Sequence, residues 1–230
     1  SGAAPGAAAG PMVTQRETAV RGESVRPALS GRMAQELDEQ AVRDARHHEM
    51  LELNIRLNEE LRARFPRSAL AGATTASTVE PPLTRKFRIF ANNSCAQYYV
   101  VSATRVYYDG KVAIYEDDAT PADFKSSLNA TMASNYLRIG DQFNADMEPI
   151  IRTYFGDPLL RDAQTDNNGV LVALFTPHIN THLAGFADFV ISCDQYPNDD
   201  DVTDPAVGGP YVTTGGTNGA SNFGEVFYAY

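Results

Sequence analysis

The sequence predicts an α/β chain, an α+β arrangement being compatible: a mixed sheet packed by one long helix and preceded by a long N-terminal helix and an extended head. Three observations predict it. Residues 32–65 run without Gly or Pro in helix-forming composition. Two β-rich segments flank Asp109-Gly110, a strong hairpin signal. Val170 to Phe175 is a continuous apolar run, as a strand buried on both faces requires. The chain divides into a head (1–31), a helix (32–67), a linker (68–84) and an α/β domain (85–230).

The head opens SGAAPGAAAGP, with nothing large to bury against the entropy cost of ordering. Such a segment is expected to be ordered in a partner's groove, a chance crystal contact being the alternative, and Pro5 and Pro11 are its expected contacts. The helix begins after Ser30 as a cap and ends at Pro66. Glu39–Arg43, Glu52–Arg56 and Glu60–Arg64 stand four apart in the favourable order. One apolar stripe runs Met33, Leu37, Ala41, Ala45, His48, Leu51 or Glu52, Ile55, and a second Met50, Leu53, Leu57, Leu61. A helix of this length spans about 51 Å, more than a small domain is wide. Part of it is expected to project or lie along a partner, through Leu37, Leu51 and Ile55.

The linker, SALAGATTASTVEPPLT, is small and hydroxyl-rich. Residues 86–90, 97–108 and 112–115 alternate or are rich in Tyr, Val and Thr, and read as strands. After Pro121 the series Phe124, Leu128, Met132, Tyr136, Ile139, Phe143, Met147, Ile151 predicts one core-facing helix over 121–155, kinked at Pro149 and ended by Gly156. Gly185 to Ser192 reads as extended, residues 197–222 as mainly loop, and Glu225 to Tyr230 as a strand.

With 230 residues and 43% hydrophobic content the chain can bury a real core, which excludes a peptide or a fully disordered chain. The net charge of −10 argues against nucleic acid, whose phosphates are neutralised by Lys and Arg. Residues 1–79 carry ten Arg and ten acidic residues, whereas 80–230 carry nine basic and nineteen acidic ones, so composition changes near residue 80. No run of 18 apolar residues occurs, so a membrane is expected to be reached only through partners or a lost N-terminal lipid anchor.

Cys95 and Cys193 fit no compact metal motif. Paired, they close a loop of about 100 residues, worth about 4–5 kcal/mol, and imply an extracytoplasmic compartment. Two buried free thiols in a cytosolic chain are the alternative. Gln164-Thr-Asp166-Asn-Asn168-Gly169 has the shape of a calcium loop, making Asp166 and Asn168 calcium candidates. A turn into the following strand competes with that reading, because Gln164 and Phe175 occupy ligand positions. His178 and His182 have zinc spacing, but Pro177, Asn180 and Thr181 argue against the helix it needs. His47-His48-Glu49 lacks a His at 52, and the run Asp199 to Asp201 reads as solvated. G-x-S-x-G, a P-loop and a glycine fingerprint are all absent, and no cofactor is expected beyond the calcium candidate.

Asn93-Ser-Cys95, Ala113-Ile-Tyr-Glu-Asp117, the helix with Tyr136, Ile139, Phe143 and Pro149, Phe155-Gly-Asp157, Asp166-Asn-Asn-Gly169 and Gly224-Glu-Val-Phe-Tyr228 together resemble the hyicolysin-type zinc metallopeptidase family over residues 87–230. The resemblance implies the N-terminal α/β half of a zincin and an exported, periplasmic or secreted protein. In that family a helix bearing His-Glu-x-x-His follows the strand resembling 224–230, and no position here matches it. The expected function is therefore a non-catalytic extracytoplasmic accessory subunit, anchored by its head and helix to protein partners in a larger, membrane-associated assembly. The periplasmic side of a photosynthetic reaction-centre and antenna complex is one example. The alternative is the N-terminal portion of a secreted zinc metallopeptidase whose catalytic helix lies beyond Tyr230.

Overall fold

The structure, a computed structural model, describes residues 31–65, 80–91, 94–154, 156–159, 165–183 and 188–229, and side chains from Asp38 onward. Pro5, Pro11, the rest of the head, most of the linker and the Leu37 side chain lie outside the described residues.

Helix α1 spans Gly31–Arg64, as the Gly- and Pro-free run requires. The strands are β1 (Thr84–Ala91), β2 (Ser94–Tyr108), β3 (Val112–Asp117), β4 (Leu171–Phe175), β5 (Asp188–Val190), β6 (Gly208–Val212) and β7 (Val226–Ala229). They form one mixed seven-stranded sheet in the order β1-β2-β3-β4-β7-β5, with β6 paired to β2. The β3–β4 and β4–β7 pairs are parallel, and β1–β2, β2–β3, β2–β6 and β5–β7 are antiparallel. This is the α/β class that the segment pattern predicts.

The β2–β3 hairpin turns where Asp109 Oδ1 accepts from the amides of Lys111 and Val112, both at 2.9 Å. Gly110 takes φ 95°, which L side chains rarely adopt. From there the sheet keeps period two: Ala113 and Tyr115 face one apolar cluster while Val112 and Ile114 face another. Val172 and Leu174 of β4 join the first cluster and Ala173 the second, so both faces of the central strands are covered. Each fully buried Leu or Val contributes about 1.5–3 kcal/mol.

The predicted helix over 121–155 is a broken one. Ala122–Phe124 form a 3₁₀ turn, and helix α2 (Ala130–Gln142) starts only where Asn129 accepts from the amides of Thr131 and Met132. A π turn over Phe143–Met147 then leads into α3 (Glu148–Tyr154). Pro149 has no N–H to return to the preceding turn, so the regular ladder is lost just ahead of it. The stripe is correspondingly not a core stripe. Only Tyr136 of the series is buried, while Phe124, Leu128, Ile139 and Met147 are exposed. A cleft of about 520 Å³ opens there at the carboxyl ends of β3 and β4, lined by Phe124, Met132, Tyr136, Ile139, Phe175 and Pro177. Gly140 allows α2 to close on the sheet, since a Cβ there would meet the Tyr107 ring at 2.2 Å.

Strand β6 lies inside the segment read as loop. Its side chains are nearly all exposed, so no hydrophobic alternation announces it, and it is held by its pairing with Gln97–Val100. The sequence cue was weak because Tyr211, against the Tyr98 ring, is the one side chain of the strand that is partly buried.

Candidate functional site

Residues 50–61 of α1 place Met50, Leu53, Leu57 and Leu61 in the main apolar cluster. Between these positions two asparagines fasten the helix to the body. Asn54 Nδ2 donates to the Val190 carbonyl at 2.8 Å, and Asn54 Oδ1 accepts from the Ser192 amide at 2.7 Å. Asn58 Oδ1 accepts from the buried Tyr196 hydroxyl at 2.7 Å, and Arg64 pairs with Asp199 at 2.8 Å. Asn54 and Asn58 were missed in the sequence. Their signal was there: two poor helix formers, four apart, in mid-helix beside an apolar stripe.

The opposite face is bare. Every described residue from Asp38 to Glu49 is exposed, as are Leu51 and Ile55, at 47% and 61%. At 100° per residue the Leu37–Leu51–Ile55 stripe lies roughly 140° around the helix from the Met50–Leu61 stripe. Local pairs dress the projecting half: Gln40–Asp44, Arg46–Glu49 and His48–Glu52. Glu52 therefore faces His48, and Arg64 leaves Glu60 for Asp199. A helix half with no apolar contact of its own has little stability in water.

Cys95 of β2 and Cys193, in the 3₁₀ turn Ser192–Gln195, form a disulfide with Cα atoms 5.7 Å apart. The bond fixes the segment on which α1 rests to the sheet. It fits an oxidising compartment.

Asp166 and Asn168 meet, but as a turn. Asn168 turns its amide nitrogen toward Asp166 Oδ2, and its Oδ1 accepts from the Val170 amide at 2.7 Å. One lone pair of the Asn168 oxygen is thus engaged by the backbone, so the turn into β4 competes with a cation for it. The expected result is that EDTA leaves the melting temperature unchanged. A fall of several degrees that calcium restores would reinstate the ion.

The segment read as a solvated acidic run is partly buried. Asp200 accepts from the Tyr98 hydroxyl and pairs with Arg88 at 3.2 Å, its side chain fully covered. Burial pushes its carboxyl up, but the hydroxyls of Tyr98 and Thr214 and the amides of Thr214 and Val202 outweigh that and hold it below the usual range. Asp199 accepts from the amides of Thr217 and Asn218 at 2.9 and 2.6 Å.

Asp194 is 1% exposed beside Tyr228 and Asn222. Burial pushes its carboxyl up to about 7, donors from Asn222 and Tyr228 pulling it part of the way back. A raised carboxyl favours the folded state at acid pH, so its contribution is full below about pH 4 and is lost as pH rises through about 7. Melting temperatures between pH 5 and 8 should decline with rising pH and decline less in Asp194→Asn. Equal slopes would refute the assignment. At this depth Asp194 has no access to a substrate.

His-Glu-x-x-His does not occur in the sequence, and among the described residues no three His, Cys, Asp or Glu side chains converge to hold a metal. Among the described residues no helix is long and apolar enough to cross a membrane. No known protein family matches the chain, and no curated protein matches it.

Proposed function

We propose that the chain is a non-catalytic, periplasmic or secreted accessory subunit that joins a larger, membrane-associated protein assembly through its N-terminal head and helix α1. The observation that carries this reading is the two-sidedness of α1. One stripe, Met50 to Leu61, is consumed by the chain's own core, and the opposite one leaves Leu51 and Ile55 in water above a projecting half that packs against nothing described. The disulfide supports the compartment.

The test is a truncation, and the structure decides where the cut falls. Deleting residues 1–49 removes only exposed described side chains, so the remaining domain should fold with a melting temperature within a few degrees of the full chain and leave its assembly. Deleting 1–67 would instead strip Met50, Leu53, Leu57 and Leu61 from the core and confuse unfolding with release. Continued co-purification of the folded 50–230 chain would rule the anchor out.

A further inference from the structure

The sequence argues against a helix at His178–His182, yet residues His178–His182 form a short helix, α4, with Pro177 at its N-cap. Proline is harmless there because the first amides of a helix have no intrahelical partner. Thr181 Oγ1 donates to the Pro177 carbonyl at 3.1 Å, which occupies the hydroxyl locally. The two histidines are thereby brought together. Their ring centroids are 4.1 Å apart and the planes are inclined by 32°. Tyr99 of β2 packs against both rings, with centroids 4.3 Å from His178 and 4.4 Å from His182. Nε2 of His178 is buried and makes no hydrogen bond, a condition that is costly for a polar group.

We propose that His178 and His182 are a two-imidazole site for a divalent transition-metal ion, taking Cu(II) or Ni(II) in preference to Zn(II), with water completing the coordination shell. The spacing selects the ion. Imidazole nitrogens about 2.0–2.1 Å from one metal put the ring centroids about 4.5 Å apart at a right angle and about 5 Å apart at a tetrahedral angle. The observed 4.1 Å lies on the right-angle side, which is the tetragonal geometry of Cu(II) and Ni(II). His178 Nε2, without a hydrogen-bond partner, is a nitrogen whose lone pair nothing in the structure engages. His182 is exposed, which gives an ion and its water ligands a way in from solvent. Tyr99, against both rings, restricts their rotation before the ion arrives.

His47 and His48 are the internal control. Adjacent helical residues do not face each other, and His48 already lies 3.1 Å from Glu52. The experiment is calorimetric titration of the full chain at pH 7 with NiCl₂, CuCl₂ and ZnCl₂ in a non-chelating buffer, with Cu(II) paramagnetic resonance as a second readout. One Ni(II) or Cu(II) should bind per chain and Zn(II) more weakly. His182→Ala should lower the affinity at least about tenfold with the apo melting temperature lowered by no more than a few degrees, and His47→Ala/His48→Ala should leave the affinity unchanged. The copper spectrum should show two equivalent nitrogens. The proposal fails if no saturable binding occurs, if Zn(II) binds as tightly, if the spectrum shows fewer than two nitrogens, or if the His47/His48 variant alone removes binding.

Discussion

Replacing both cysteines, Cys95→Ala/Cys193→Ala, should lower the unfolding free energy by about 4.7 kcal/mol, the chain-entropy value for a loop near 100 residues. The two positions are 98 residues apart in sequence. In a chain of this size that corresponds to a melting temperature about 10–20 °C lower. The loss is transmitted to α1. Cys193 lies in the Ser192–Gln195 turn, whose Ser192 donates its amide to Asn54 Oδ1, so freeing the turn from β2 loosens the seat of Met50, Leu53 and Leu57 together. Thermal and urea unfolding of the double variant beside the oxidised chain measure it. A loss below about 1 kcal/mol would mean that the bond does not constrain the unfolded chain. Two reactive thiols in the denatured, unreduced protein would mean that it is not formed at all.

Arg88→Met should cost about 3–5 kcal/mol, because it leaves the fully covered Asp200 carboxylate without its cation. The guanidinium of Arg88 also donates to the Gly219 carbonyl at 2.9 Å and to the Val202 carbonyl, and lies over the Tyr98 ring at 4.7 Å. One side chain therefore fastens three points of the 198–219 loop to the sheet. The pH dependence distinguishes this from simple loss of packing. Asp200 is held below the usual carboxylate range, so its contribution is complete above about pH 4 and disappears as pH falls through its folded value. The penalty of Arg88→Met should accordingly shrink toward pH 3, and Arg88→Met/Asp200→Asn should recover part of it at pH 7. A penalty independent of pH, with no recovery in the double variant, would show that the charge pair is not what matters.

The parts of the fold that were legible in the sequence are those where side-chain pattern and backbone need coincide. The run 32–65 has no breaker, Asp109-Gly110 supplies both the carboxylate cap and the positive φ that the hairpin uses, and Val170–Phe175 is apolar because both faces of its strand are covered. Where the backbone carries nearly all of the pairing, the pattern was silent. β6 is such a case, its Gly-Gly-Pro-Tyr-Val held by a ladder to β2 with Tyr211 alone packing inward, on Tyr98. In α2 and α3 a sound helical period misled in a different way. Spacing places Phe124 to Ile151 on a shared face but says nothing about what covers that face, and half of the series, Phe124, Leu128, Ile139 and Met147, is exposed. The short helix α4 shows tertiary contact overriding propensity: Tyr99 packs on both of its histidines, and the buried Ile179 fixes it to the core. The candidate interaction face was partly legible. Two stripes were visible on one helix, but which of them the chain would bury depended on Asn54 and Asn58, whose partners Val190, Ser192 and Tyr196 stand more than 130 residues away.

The anchoring role of α1 is tested most directly by amide hydrogen exchange over residues 38–49, measured in the isolated chain and in the assembly purified from its native source, with wild-type protein and with Leu51→Glu/Ile55→Glu. Both substituted residues are exposed, so the variant should melt at the wild-type temperature. The account predicts fast exchange in the isolated chain, slow exchange in the wild-type assembly, and no assembly with the variant. Equal exchange in both settings, or a variant that assembles as wild type does, would contradict it.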